Sequence, residues 1–296
     1  MAASNTSIYP SNSTDALFRA WGLAISTAIQ AAGWVKTADT GQINWGTVAT
    51  PASTNTVAGY EVYQSNDAMT DWYLKIEYGS GSNASYPSIW ITVGTGSNGG
   101  GTLTGQLSTR FQLATAAQNA ATPYSCAFAG GTNWLAISLW YDCSSSQSIT
   151  FLIERLRDAD GAEQDTGIVV LGISSTARYQ QLVPKTGTIP AQISASAVPY
   201  WPIMAPPGGQ TTSLSGTTVG VYTIHPFAQT HRPSILAGLI YFSGAPDISA
   251  YATFTVSRYG ANVTYLSLGN SRSFQPALLW QSGMNRRSSI SAWVRR

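Results

Sequence analysis

Residues that could do chemistry are few, and the most literal motif lies in "WITVGTGSNGGGTLTG", residues 90 to 105. Gly94-Thr-Gly96-Ser-Asn-Gly99 follows an alternating apolar run and spells the GxGxxG of a dinucleotide-binding turn. That chemistry needs the glycines to open a helix whose N-terminus receives a pyrophosphate, with an acidic residue about 20 positions further on. Here Gly100 and Gly101 come next, then the strand-like Thr102-Leu103-Thr104, and the following acid is Asp142. Both requirements fail, so the stretch is expected to be a glycine connection between two strands, where positive φ is needed. Its closeness to another backbone, such as that of a neighbouring subunit, would explain so many glycines, with Gly99 and Gly100 as candidate contact residues.

Other chemistries fare no better. His225 and His231 are the two histidines, and six residues of loop could bring both imidazoles to one metal, but a third ligand would have to come from sparse acids. Glu154, Asp158, Asp160, Glu163 and Asp165 cluster near Gly161, interleaved with Arg155 and Arg157. This reads as a charged turn at a strand end and fits poorly the alternating oxygen ligands of a calcium loop. Asp71 with Glu77, or Asp142 with Glu154, can be written as carboxylate pairs, yet no spacing selects them for glycoside cleavage. The nearest approach to a nucleophile elbow, Gly79-Ser-Gly81, is a turn. The expectation is a protein that is not an enzyme, with no cofactor and no metal. Trp72, Tyr73, Trp90, Trp134, Trp140, Tyr141 and Trp201 lie on or next to strands, where rings can stack on sugars, fill a core or line a subunit interface.

The elements that must position these residues begin with one helix, residues 13 to 33. Ser13 or Thr14 can cap it, Asp15 suits the dipole of the first turn, and Gly33 can close it in the left-handed region. Phe18, Trp21, Ile25 and Ile29 recur on one face, with Leu17 beside them; that face packs on a sheet or docks a partner subunit. The period then changes to 2. Strands are expected at 59–65, 71–79, 88–94, 103–113, 133–142, 148–158 and 167–174, with Trp72, Leu74, Ile76 and Tyr78 on one face and Ile89, Ile91 and Val93 inward. Residues 183 to 213 hold six of the 14 prolines, a crossover or link that places a boundary near residue 180. Strands resume at 218–228, 234–244, 252–260, 263–269, 276–282 and 289–294. The fold class expected is mainly β: an antiparallel β-sandwich, jelly-roll-like, with an N-terminal amphipathic helix in residues 1–180, and a second β-rich region in residues 181–296.

Of the 296 residues, 44% are apolar and 9% charged, against about 25% charged in an ordinary soluble protein. A net charge of +2 gives no field for specific nucleic-acid or membrane binding. Ser, Thr, Gly, Asn and Gln must keep the surface wet, or neighbouring subunits must cover it. The exception is the C-terminal end, where Arg286, Arg287, Arg295 and Arg296 form a basic tail or anchor on an acidic neighbour. No signal peptide or membrane span is readable, so synthesis in a cytoplasm is expected. Cys126 and Cys143 could meet across a hairpin but suit buried, reduced thiols better, and Asn83-Ala-Ser85 and Asn262-Val-Thr264 match the glycosylation pattern by chance.

Taken in order, "DALFRAWGLAISTAIQAAGWVKTADTGQINWGTV", "GYEVYQSNDAM", "WYLKIEYGSGS", "PSIWITVGTGSNGGGTLTG" and "FLIERLRDADG" resemble a group of tailed-bacteriophage structural proteins encoded among virion genes. The resemblance covers about residues 12 to 165. It implies a virion component, in the tail, neck or capsid surface, that associates symmetrically with itself; it supplies no catalytic residues. The expectation is therefore an assembly protein made in the host bacterial cytoplasm and located in the virion, a homotrimer in the tail or neck that contacts other virion proteins. A capsid decoration protein and a host-glycan adhesion module are the alternatives. Phe18, Trp21, Ile25, Ile29, Trp90, Gly99, Gly100 and the four C-terminal arginines are the candidate interface.

Overall fold

The computed structural model describes residues 14–81, 87–106 and 110–113 with their side chains. At 3–9, at 114 and from 124 onward it describes the strands given below, with side chains at 128, 130–132, 134–137, 151, 153–155 and 264. The chain is mainly β, built of antiparallel sheets with one helix near its start.

After strand β1 (Ala3–Tyr9), helix α1 runs over Asp15–Ala31 with Thr14 as its N-cap, the Leu17 amide donating to Thr14 Oγ1 at 3.3 Å. Asp15 Oδ1 accepts from both the amide and the hydroxyl of Thr50 at 2.8 Å, which ties the first turn to a later loop and holds this carboxyl below its usual pKa. Gly33, at φ +103°, ends the helix in the left-handed conformation, its amide donating to Gln30 O at 2.9 Å. Phe18, Trp21, Ile25 and Ile29 are buried, so the helix packs its apolar face on its own chain.

That face meets a five-stranded sheet of β2 (Val35–Lys36), β3 (Val57–Gln64), β4 (Tyr73–Ser80), β5 (Pro87–Gly94) and β8 (Phe111–Ala114), hydrogen-bonded in that order. Leu74 pairs with Val93, Ile76 with Ile91 and Tyr78 with Ile89, so the alternation puts one continuous buried layer on a single face. The stretch 103–113, expected as one strand, is divided. Its first part is β7 (Leu103–Thr104), which pairs with β6 (Gly96–Ser97) in a two-stranded ribbon, and its last part is β8. Gly105, at φ +52°, follows β7 and turns the chain out of the ribbon.

A six-stranded sheet has the order β1, β9 (Tyr124–Gly131), β10 (Trp134–Tyr141), β11 (Ile149–Arg157), β12 (Glu163–Ile173), β13 (Arg178–Pro184). The sheet therefore runs past residue 180 to Pro184. Beyond it lie β14 (Ile203–Met204), β15 (Thr211–Leu214), β16 (Thr217–Ile224), β17 (Leu239–Ser243), β18 (Thr253–Arg258), β19 (Ala261–Ser267) and β20 (Gln275–Ser282), which form a seven-stranded sheet. The expected strand at 289–294 lies outside the described residues, as does most of the proline-rich stretch.

Phe128, Leu135, Ile137, Phe151 and Ile153 of the six-stranded sheet belong to one hydrophobic cluster with Leu74, Ile76, Ile89 and Ile91 of the five-stranded sheet and Phe18, Trp21 and Ile29 of the helix. Phe111 and Phe151 bridge the two sheets with ring centroids 6.0 Å apart, and Trp34 Nε1 donates across to Gly131 O at 2.9 Å.

The closest approach in this core is at Gly22, where an added Cβ would lie 1.9 Å from Trp45 Cη2. In an ordinary helix interior Gly→Ala gains about 0.5–1 kcal/mol. Here the indole has no room to yield, so Gly22→Ala is expected to destabilise the fold by about 1–3 kcal/mol. Urea unfolding checks the sign, and a raised midpoint would contradict this packing.

Candidate functional site

Glu61 sits in the middle of β3, on the face turned to the helix, and is fully buried. An isolated carboxylate there would be prohibitively costly, so it must be surrounded by donors. Oε1 accepts from Ser26 Oγ at 2.9 Å, Lys36 Nζ at 2.7 Å and Trp45 Nε1 at 3.1 Å; Oε2 accepts from the hydroxyls of Tyr63 at 2.7 Å and Tyr78 at 2.9 Å. The donors come from α1, β2, the 37–56 loop, β3 and β4. Lys36 alone reaches solvent, its side chain 28% exposed. Trp45 stacks edge-on against Tyr78 at 4.9 Å and packs 5.8 Å from Phe18, so aromatic rings seal the carboxylate from water.

Burial, and then the negative charge of Glu61, push the Tyr63 and Tyr78 phenols well above their ordinary pKa. The cluster is thus a carboxylate held by neutral phenols, an indole, a hydroxyl and one ammonium. It offers no open face to a substrate, and its donors leave Glu61 no free lone pair.

A second carboxylate organises the glycine connection. Asp39, 9% exposed, accepts from Thr37 Oγ1 at 2.6 Å, from the Gly101 amide at 2.8 Å and, at very short range, from Ser97 Oγ. Burial works against ionisation of Asp39, but these hydrogen bonds outweigh it and hold its pKa below the usual carboxyl range. Its folded pKa being depressed, the contribution is whole above the ordinary carboxyl pKa and is lost as pH falls through the folded value. The 94–101 glycines lie against the chain's own 37–41 loop and Tyr60. The Thr40 amide donates to Gly99 O at 2.8 Å, and a Cβ at Gly101 (φ +78°) would strike the Tyr60 ring at 2.1 Å. Gly99 and Gly100 remain exposed at the tip.

A third pair joins the two sheets. Arg155 of β11 grips Asp67, which follows β3, with Nε donating to Oδ2 and Nη2 to Oδ1 at 2.7 Å; Nη2 also donates to Thr70 O at 2.5 Å. The guanidinium lies 5.4 Å from the Trp72 ring centroid. The bidentate fork has both side chains almost wholly buried.

The face of the five-stranded sheet opposite the helix carries Lys75, Glu77 and Arg110. Arg110 Nε donates to Glu77 Oε2 at 2.6 Å while its guanidinium covers Trp90 at 4.6 Å, and Lys75 lies 4.8 Å over Tyr60.

Several sequence expectations change on this geometry. Phe18, Trp21, Ile25 and Ile29, expected as interface candidates, are buried in the chain's own core, and Trp90, 4% exposed, lies beneath Arg110. Glu154 and Arg155 lie within β11, inside the expected strand 148–158, and both are buried; Asp67, in the segment after β3, neutralises the arginine. Glu77 forms ion pairs with Arg110 and Lys75. Arg286, Arg287, Arg295, Arg296, His225, His231, Asp142 and Cys143 lie outside the described residues. Among the described residues no group of three His, Cys, Asp or Glu side chains could hold a metal, and no helix is long and apolar enough to cross a membrane.

Removing the Glu61 acceptor orphans its donors together. Glu61→Ala is expected to cost about 3–5 kcal/mol of stability in denaturant titrations; a loss typical of a surface site would contradict the arrangement. The raised phenol pKa values give a second expectation. Their contribution is intact below the unfolded tyrosine pKa of about 10 and is lost as pH rises beyond it. Phenolate absorbance from Tyr63 and Tyr78 should therefore appear only with cooperative alkaline unfolding, and Y63F or Y78F should reduce that step; early, non-cooperative ionisation of both would contradict it.

Comparisons of the chain with protein-family models, with curated proteins and with solved structures find no match.

Proposed function

We propose that the protein is a structural component of a tailed-bacteriophage virion, a self-assembling subunit that contacts other virion proteins, in the tail or neck. Its first unit would be a β-sandwich, jelly-roll-like, with the six- and five-stranded sheets as its layers. Three features support that layering: the shared core, the Phe111–Phe151 contact and the buried Arg155–Asp67 fork. The reading rests first on the order and wording of the segments between residues 12 and 165 that resemble phage structural proteins.

The structural observation that carries it is the use made of scarce charge. Asp39, Glu61 and Asp67 are each bound by several donors of their own chain, so these carboxylates act as internal struts. The surface left behind is poor in charge and rich in hydroxyl and amide groups, which suits many modest contacts repeated by symmetry. A homotrimer fits a tail or neck position; capsid decoration uses the same surface and differs in location. Among the described residues the glycan-adhesion alternative finds less support, because Trp21, Trp34, Trp45, Trp72, Trp90 and Trp134 are all buried; the side chains of Trp140, Tyr141 and Trp201 lie outside the described residues.

The purified chain is expected to run as an oligomer, a trimer first, in multi-angle light scattering at micromolar concentration. A clean monomer there would contradict self-assembly, and absence of the labelled protein from purified virions by electron microscopy would contradict the virion assignment.

A further inference from the structure

The tip of the glycine ribbon joins an unusual set of groups around the Asn98–Gly99 peptide. Asn98 is exposed, and its Oδ1 accepts from two main-chain amides, Gly100 at 2.8 Å and Thr102 at 3.2 Å. The Gly99 amide points to Ser97 Oγ at 3.3 Å, and Ser97 Oγ–H in turn donates to Asp39 Oδ2. Around Gly99 there is open space: a Cβ built there would meet nothing within 4 Å. The neighbouring hydrogen bonds from Thr40 to Gly99 O and from Gly101 to Asp39 fix the ribbon on both sides of this peptide.

These are the parts of an intramolecular acyl-transfer site. Gly99 N is the nucleophile, and Asn98 Cγ is the electrophile that closes a five-membered ring. The Gly100 and Thr102 amides are aimed at the oxygen where negative charge develops. Ser97 is placed to receive the amide proton, and Asp39 positions Ser97. We infer that Asn98 is a self-modification site, at which the folded ribbon promotes succinimide formation and deamidation, with water as the only co-reactant.

In the first step Gly99 N bonds to Asn98 Cγ as its proton passes by way of Ser97 Oγ to hydroxide of the surrounding water, while Asp39 holds the Ser97 hydroxyl in place. The charge on Oδ1 is held by the two amides, and collapse breaks the Cγ–Nδ2 bond. The nitrogen leaves as ammonia with the proton returned through Ser97. Water then opens the imide at Cγ, giving aspartate at position 98, or at the main-chain carbonyl, giving the isoaspartyl linkage. In sum, an amide and water become an acid and ammonia, and no electrons are exchanged. The product carries a new negative charge at the exposed tip beside Gly99 and Gly100. The isoaspartyl form also lengthens the main chain by a methylene within the turn that Asn98 now closes.

The test uses the full-length chain, incubated folded at mildly alkaline pH and, in parallel, fully unfolded in denaturant at the same pH and temperature. Peptide mapping by mass spectrometry follows the amide-to-acid mass gain at each asparagine, and isoaspartyl methyltransferase labelling follows the rearranged product. The expected result is modification at Asn98 about tenfold faster in the folded chain than in the unfolded one. Ser97→Ala should remove most of that acceleration, and Ser97→Thr, which keeps the hydroxyl, should restore it. Hydrogen exchange at the Gly101 and Thr102 amides shows whether the ribbon itself persists in each variant. A folded rate equal to or below the unfolded rate would overturn the inference, as would an unchanged rate in Ser97→Ala with the ribbon intact.

Discussion

Burying one carboxylate decides much of this architecture. Glu61 occupies the inward face of β3, directly opposite Ile76 of β4, with Leu74 and Tyr78 on the same face opposite Tyr63 and Gly59. An ion there is tolerable only if its lone pairs are filled with good geometry, and the five donors that fill them lie on α1, β2, the 37–56 loop, β3 and β4. Each element must therefore arrive in register. Gly22 leaves room beside the helix for the six-membered ring of Trp45, whose indole N–H reaches Glu61. The helix cap at Gly33 returns the chain to place Lys36 beside the same oxygen. Hydrophobic burial supplies the driving force, while the carboxylate selects which packing of those apolar faces is acceptable.

The same device recurs at Asp39 and Asp67. Asp39 joins the 37–41 loop to the β6–β7 ribbon, and Asp67 joins the segment after β3 to the six-stranded sheet through Arg155. With charged residues at 9% of the chain, holding Asp39, Glu61 and Asp67 inside leaves still fewer carboxylates for the surface. The proposed self-assembly would draw on the same scarcity of charge, since surfaces with few like charges repel one another weakly.

Period and punctuation made much of the fold legible. The helix, its Thr14 and Gly33 ends, and strands β3, β4, β5, β10 and β11 follow from residues whose spacing is local. The inward sets Leu74, Ile76, Tyr78 and Ile89, Ile91, Val93 were visible for the same reason. β1, β9 and β13 were not, because "ASNTSIY", "YSCAFAGG" and "RYQQLVP" have weak alternation and become strands through the partners they pair with. The struts were hidden more deeply. Glu61 and Tyr63 share one face by simple alternation, which marks a polar residue on an inward face, yet its donors lie up to 35 positions away in sequence. Arg155 reads as part of an acidic, turn-like run until Asp67, 88 positions earlier, comes to meet it. The glycine tract was correctly a strand connection, but its close neighbour, Tyr60 and the 37–41 loop, is fixed by tertiary contact alone.

The central claim is that one internal carboxylate coordinates elements distant in sequence, and amide hydrogen exchange on the intact chain carrying Glu61→Gln tests it most directly. The predicted result is a joint loss of protection in α1, in the segment around Trp45 and in β3 to β5, with β11 and its Arg155–Asp67 junction affected less. Loss confined to the residues flanking position 61 would contradict it.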